Sequence, residues 1–296
     1  MDIFSPCQEI EYEKTEKGLI LAVYHGMEES VWLPDEIDGE PVVEIGPYAF
    51  ANRADIIEIR LPAGIREIGR YAFYRCRNLR KLILADKILD IGGGALTGCR
   101  GIREVEIYFQ DGERSALKSI LDEVCFEVHA RLYMGEQVAD VLFPEHYEEA
   151  VEDTPARQLY TQHHGAGGDY RQCFYNRELD YRKYDDLFYR TIAEDTVDTA
   201  LKMAFGRLRC PYRLTDEAKE RYQIYLKEHL VELYELLILE EAMEYLRFLT
   251  EEKYVSEEAL QAGIACAQVN GKTEVLSFLM DEKRKHFPKK RKTFDL

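Results

Sequence analysis

The chain has 296 residues, enough for two domains that each bury a core. Its composition, 46% hydrophobic and 32% charged, is ordinary, but its formal net charge of −17 is not. That surplus argues against general affinity for nucleic acid or an anionic membrane, since both would repel it.

The first residues, Met1, Asp2, Ile3, Phe4, Ser5 and Pro6, lack the basic patch and apolar core of a signal peptide. No run of about 18 apolar residues occurs, so no membrane span is expected. Cys7, Cys76, Cys99, Cys125, Cys173, Cys210 and Cys266 are scattered, without a CxxC pair. Neither a zinc site nor a disulfide framework is expected, and free thiols point to a reducing cytoplasm.

Compared with itself, the chain repeats at a spacing of 23. Ile45, Ile68 and Ile91 each precede a glycine; Ala49, Ala72 and Ala95 keep the interval, as do Phe50, Phe73 and Leu96. Four further columns stay in register: Arg53/Cys76/Cys99, Ile56/Leu79/Ile102, Ile59/Leu82/Val105 and Leu61/Leu84/Ile107. The alternation of Leu82 and Leu84 predicts a short strand with both side chains inward. A glycine after the isoleucine suits a turn where a side chain would clash or φ is positive. Cys76 and Cys99 read as small buried hydrophobes rather than redox groups.

The stretch from Ile65 through Ile68-Gly69, Ala72-Phe73, Cys76, Leu79 and Leu82 to Leu84 resembles the BspA-type leucine-rich repeat of bacterial proteins. Upstream, Leu33-Pro34, Ile37-Asp38-Gly39, Pro41-Val42-Val43 and Ile45-Gly46 resemble that family's first coil. Residues 9–33, with Lys17-Gly18 between two strand-like runs, resemble its N-terminal hairpin cap. The resemblance covers roughly residues 9–109. It implies a small right-handed solenoid whose business is protein–protein interaction. Gly93-Gly94 and Leu96 depart from the pattern, which marks the end of the solenoid.

So short a repeat cannot bury its hydrophobic face alone, and both ends need caps. Residues 111–150 are expected to form an irregular C-terminal cap. Leu117, Ile120, Leu121 and Val124 have helical spacing, Phe126, Val128, Ala130 and Leu132 alternate, and a strand from 138 to 143 ends at Pro144.

Next, His163-His164-Gly165-Ala166-Gly167-Gly168-Asp169 offers candidate metal or anion ligands in His163, His164 and Asp169. It lacks the Lys-Ser/Thr of a phosphate loop, and consecutive histidines diverge on most backbones, so a flexible surface linker is expected. Residues 170–190 interleave aromatics with arginines in a pattern that suits base stacking. There Glu178, Asp180, Asp185 and Asp186 balance the arginines, and Phe174, Tyr181, Tyr184 and Phe188 sit at packing intervals. Packing or a protein-interaction patch is expected instead. Cys173 has no base partner, so no nucleophile is expected.

From about residue 190 the periodicity is helical. Thr196 to Leu208 is one helix. Thr215 followed by Asp216 and Glu217 reads as an N-cap with acids in the first turn. Tyr222, Leu226, Leu230, Leu233 and Leu237 then keep one apolar face, and Ser256 starts a further helix. Ala267 to Met280, around Asn270-Gly271, resembles the helix–turn–helix of an ankyrin repeat, without that family's Thr-Pro-Leu-His signature. Residues 190–286 should hold no sheet of three or more strands. Seven Lys/Arg between 283 and 296 form a basic tail, expected to be solvated.

The expected fold class is α+β: a short, β-rich leucine-rich-repeat solenoid followed by an α-helical domain. Its expected divisions are 1–110 for the repeats and hairpin cap, 111–150 for the C-terminal cap and 151–296 for the helical part. The expected role is a non-enzymatic interaction or scaffold protein of the bacterial cytoplasm. It has no catalytic residue, no metal and no cofactor, and binds a protein partner that the residues do not identify. Nucleic acid and membrane are not expected partners. One rival role is an enzyme or metal/anion site at His163, His164 and Asp169; the other is nucleic-acid binding through 170–190.

With Leu33, Leu61, Leu84 and Ile107 inward, alternation turns Trp32, Arg60, Ile83 and Glu106 outward, with Tyr108 beside them. Trp, Tyr and Arg are the residues most enriched at binding hot spots, so this face is the expected partner site. The competing placement packs Trp32, the only tryptophan, under the N-terminal cap or the second domain.

Overall fold

In the computed structural model, which describes residues 10–88, 90–153 and 158–288, β1 (Ile10–Thr15) and β2 (Gly18–Tyr24) form an antiparallel hairpin. Its turn requires glycine: Gly18 has φ +136°, and a Cβ there would lie 2.5 Å from the Pro41 carbonyl oxygen. After β3 (Ser30–Trp32), β4 (Glu36–Ile37) folds back on β5 (Glu40–Ile45) through Asp38 and Gly39, both at positive φ. A two-residue turn with both φ positive favours Asp-Gly, which is the sequence found.

Strands β6 (Glu58–Arg60), β7 (Glu67–Ile68), β8 (Lys81–Ala85), β9 (Asp90–Ile91) and β10 (Glu104–Phe109) then alternate between two sheets. One sheet runs β1-β2-β5-β7-β9, with β4 on β5. The other takes β3, β6, β8 and β10 in parallel, placing Ile59 opposite Leu82 and Leu82 opposite Val105. The 23-residue spacing of the sequence is therefore the length of one coil.

Apolar columns fill the space between the sheets. Phe50 and Phe73 stack at 5.2 Å, and Ala49, Ala72 and Ala95 are buried beside them. The buried thiols of Cys76 and Cys99 donate to the carbonyls of Phe50 and Phe73 at 3.0 and 2.9 Å, as core filler would. Gly69 and Gly92 do not have positive φ; a Cβ would lie 2.6 Å from the Pro47 nitrogen and 2.4 Å from the Arg70 nitrogen, respectively. Close backbone approach is the reason for glycine in that column.

Helix α1 (Leu117–Glu123) buries Leu117, Ile120 and Leu121, the positions its spacing predicts. Glu123 accepts from the backbone N–H of Gly94 and Leu96 at 2.9 and 2.6 Å, so the coil that departs from pattern is the one the cap holds. Strand β11 (Val128–Met134) extends the outer sheet in parallel beside β10, and β12 (Gln137–Phe143) turns back antiparallel on it. An antiparallel pair, β13 (Tyr147–Asp153) and β14 (Gln158–His164), follows. Then come α2 (Gly167–Tyr170), the short hairpin β15 (Phe174–Tyr175) and β16 (Glu178–Leu179), α3 (Tyr181–Asp186) and α4 (Phe188–Glu194). The stretch read as a flexible linker is instead the end of β14 and a turn packed inward, with Ala166 and Tyr170 buried.

Contacts divide the chain into two units, Met1–Asp195 with Cys210–Thr215, and Thr196–Arg209 with Asp216–Leu296. The second unit is helical: α5 (Val197–Arg209), α6 (Asp216–Glu228), α7 (Leu230–Leu239), α8 (Met243–Glu251), α9 (Glu257–Val269) and α10 (Thr273–His286). Among the described residues of 190–286 no sheet forms. Ser256 caps α9 by accepting from the Ala259 N–H at 3.0 Å. The expected apolar face from Tyr222 to Leu237 is buried at all five positions, but two helices carry it, because the backbone breaks at His229. Gly263 on α9 lets Ile238 and Leu279 close in, each 3.2 Å from where its Cβ would be. Gly271, at φ +67°, makes the turn from α9 to α10. No helix among the described residues is long and apolar enough to cross a membrane. Lys289 to Lys292, the core of the basic tail, lie outside the described residues.

Candidate functional site

Parallel register lines up one row of side chains across the outer sheet. Trp32 stands beside Arg60, Arg60 beside Ile83, Ile83 beside Glu106, and Glu106 beside Arg131 on β11. Trp32 lies on the edge strand β3 and is 66% exposed. The Arg60 guanidinium sits 5.4 Å from the centre of its ring, a cation–π contact that holds both side chains on the surface. The Arg60 side chain makes no hydrogen bond or ion pair among the described residues.

Two residues along β10 from Glu106, Tyr108 is 41% exposed and stacks on Tyr133 at 4.5 Å with the rings nearly parallel. Its hydroxyl donates to Glu106 Oε2 at 3.2 Å. Burial first, then the Glu106 charge, raises the pKa of this phenol, so it remains a donor. Trp32, Arg60 and Tyr108 border an open groove of about 400 Å³, lined further by Pro34, Ala63 and Ala85. Asp35 also lines it, but its carboxylate is engaged by the Ala63 N–H at 2.8 Å.

Two residues expected to be exposed here are not. Ile83 and Glu106 leave the strand on the outward side, yet each is only 7% exposed. Ile83 lies in register between Arg60 and Glu106, with a long side chain on each side. Glu106 is occupied within the sheet, 2.9 Å from Lys81 and 3.8 Å from Arg131. Partial burial works against the Lys81 ammonium, but the Glu106 carboxylate outweighs it and raises the Lys81 pKa. Sequence reasoning missed Tyr133 and Arg131 as partners of this face, and, although alternation also turns Lys81 outward, its pairing with Glu106. The signal for the first two was present, since inward Val128, Ala130 and Leu132 oblige the residues between them to point outward.

The second set of candidates lies on β14 and α2. His164 stacks on Tyr147 at 4.3 Å, and its Nε2 is 3.3 Å from Glu149 Oε2. His163 is placed by its backbone alone, opposite Glu148. The Asp169 carboxylate pairs with Arg190. Among the described residues no three His, Cys, Asp or Glu side chains are grouped to hold a metal ion. A cavity of about 410 Å³ beside them is lined by His146, Glu148, Asp169, Arg190 and Glu194.

Arg171, buried under this loop, donates to the carbonyls of Leu121, Pro144, Gly167, Val124 and Phe126 at 2.8 to 3.2 Å. Burial lowers its pKa to about 10, which leaves it charged at neutral pH. Gly167 is obligatory there, since a Cβ would lie 2.0 Å from the Pro144 oxygen. Asp195 accepts from the Ala166 N–H at 3.4 Å, yet partial burial raises its pKa to about 6.

Most aromatics of 170–190 are unavailable to stack bases. Tyr170, Tyr181, Tyr184 and Phe188 are buried, with Tyr170 and Tyr184 edge to face at 4.9 Å. The Tyr184 hydroxyl donates to the Leu142 carbonyl at 2.6 Å and accepts from the Leu142 N–H at 2.9 Å, binding α3 to the edge of β12. Burial raises the Cys173 thiol to about 12, so it stays protonated.

Three solved structures are similar to the chain over 34% of its length. A leucine rich cell surface protein of Faecalibacterium prausnitzii A2-165 is 23% identical, with a TM-score of 0.31 and 31% of its own length covered. The leucine rich repeat protein of T. pallidum is 23% identical, with a TM-score of 0.26 and 70% covered. A leucine-rich repeat protein from Bacteroides ovatus ATCC 8483 is 25% identical, with a TM-score of 0.30 and 30% covered. The similarity thus spans about a third of the length of the first and last of these proteins. No curated protein matches the chain. Residues 38–129 match the BspA type leucine rich repeat region in six copies, and the coils that carry the Trp32 groove continue into that repeat.

Proposed function

We propose that the protein binds another protein through the outer face of its repeats, at the groove bordered by Trp32, Arg60 and Tyr108, and performs no chemistry there. The observation that carries this reading is the exposure of a lone tryptophan with an arginine laid over it, beside an open groove. Trp and Tyr offer a large contact area with little entropy to lose, Arg adds a planar fork of donors, and these three residues dominate hot spots. The leucine-rich-repeat match supports an interaction role in general and names no partner. A bacterial, cytoplasmic scaffold remains the setting in which we place it.

The test is co-purification from the native host followed by titration of the recovered partner. Trp32→Ala and Arg60→Ala are each expected to weaken binding by about 2 kcal/mol while leaving the melting temperature nearly unchanged. Full affinity in both variants would move the site to another surface, with the helical unit the next to search.

A further inference from the structure

The acidity of this protein is not evenly spread. Residues 53–103 carry eleven Lys/Arg against five Asp/Glu, a net of +6, leaving −23 for the rest of the chain. Five of those arginines, Arg75, Arg77, Arg80, Arg100 and Arg103, are exposed on the turns that lead into β8 and β10. Arg77 and Arg100 are one repeat period apart, as are Arg80 and Arg103, so the two pairs occupy equivalent places on neighbouring coils. The Arg103 N–H donates to the Arg80 carbonyl at 2.9 Å, which fixes that stacking.

None of the five has an acidic partner among the described residues. In a chain with 56 Asp and Glu this is a pointed absence, because like charges held side by side repel unless an anion joins them. The same coils do pair cations elsewhere, Arg53 with Asp55 and Lys81 with Glu106. Aromatic rings support two of the arginines: Arg75 lies 4.9 Å from the centre of Tyr74, and Arg103 lies 4.6 Å from that of Phe126. Arg103 also donates to the carbonyls of Arg100 and Ile102, while Arg77, Arg80 and Arg100 make no side-chain hydrogen bond among the described residues. Their guanidinium groups keep every N–H donor for a ligand.

We propose that this arginine ridge is a second binding surface, distinct from the Trp32 groove, for a short acidic segment of a protein partner. Carboxylates suit it because each can take a guanidinium fork bidentately. Extent decides against a longer polyanion. The two coils stand about 5 Å apart at strand spacing, and charges are felt over only about 8 Å at physiological salt. A nucleic-acid strand or lipid surface would outrun these two coils, whereas a few consecutive Asp or Glu would not.

The experiment measures anisotropy of a short labelled oligo-glutamate peptide titrated with the full chain. Binding is expected to fall steeply as salt rises. It should weaken at least about tenfold in Arg77→Glu/Arg100→Glu, less in Arg77→Lys/Arg100→Lys, and not at all in Trp32→Ala, with melting temperatures checked for each. Three results would overturn the proposal. The peptide fails to bind at low salt; it binds the charge-reversed variant equally well, which would place it on the Lys/Arg-rich segment 283–292; or a single-stranded DNA of equal charge binds the ridge as tightly.

Discussion

Lys81 and Glu106 meet 2.9 Å apart on neighbouring strands of the outer sheet, and Arg131, from the strand on the other side of β10, lies 3.8 Å from the same carboxylate oxygen. Glu106 is therefore a nearly buried anion between two cations, and its role is to hold β8, β10 and β11 in register. Glu106→Gln keeps the shape but removes the negative charge that Lys81 and Arg131 share. A loss of about 2 kcal/mol in urea unfolding is expected, with binding at the groove affected less than by Trp32→Ala. A neutral effect on stability would show that the carboxylate is solvated instead.

The glycine column offers a paired test. A Cβ at Gly69 would meet backbone on three sides, the Pro47 nitrogen, the Gly46 carbonyl carbon and the Ile45 oxygen, none of which can rotate away. Gly93 has nothing within 4 Å of the same position. Gly69→Ala is expected to cost about 3 kcal/mol, and Gly93→Ala to stay within about 0.5 kcal/mol. Equal effects in thermal melts would contradict close approach as the reason for that column.

Asp195 gives the protein a pH signature. Its pKa of about 6 in the folded state exceeds the ordinary value of about 3.9, so folding favours the protonated form. That contribution is complete below about pH 4 and is lost as pH rises through 6. Asp195→Asn should match the parent protein near pH 4 and be the more stable of the two near pH 7. After discounting for partial exposure the gain is about 1 kcal/mol. Urea melts at both pH values that show the same difference would refute it.

The solenoid was legible because each coil repeats the same apolar columns, and stacking is the only way to bury them. Direction was legible as well: alternation places Trp32, Arg60 and Tyr108 outward, and all three are exposed. What alternation does not report is cover. Ile83 and Glu106 also point outward but lie between neighbours on both adjacent strands, and the β11 partners of Glu106 and Tyr108, Arg131 and Tyr133, come from beyond the 23-residue columns. Net charge misled in the same manner, since −17 averages an arginine-rich segment with an acidic remainder.

The glycines near His164 were read as looseness and proved to be tightness. Gly165 and Gly167 let the chain pass against the carbonyls of Glu145 and Pro144, and Arg171 gathers five backbone oxygens below. A buried arginine with no ion pair among the described residues is invisible in sequence, because its partners are carbonyls that any residue supplies. His229 is a similar case: five apolar positions in helical phase do not reveal that the backbone stops and restarts between them.

The outer-face site is tested most directly by the fluorescence of Trp32, the only tryptophan in the chain. Acrylamide quenching is measured on the free protein and on its complex with the co-purified partner, after subtraction of any emission from the partner. Exposed Trp32 should be strongly quenched when free, then shielded and shifted to shorter wavelength in the complex. Undiminished quenching, with the complex shown intact by its size, would contradict binding at this face.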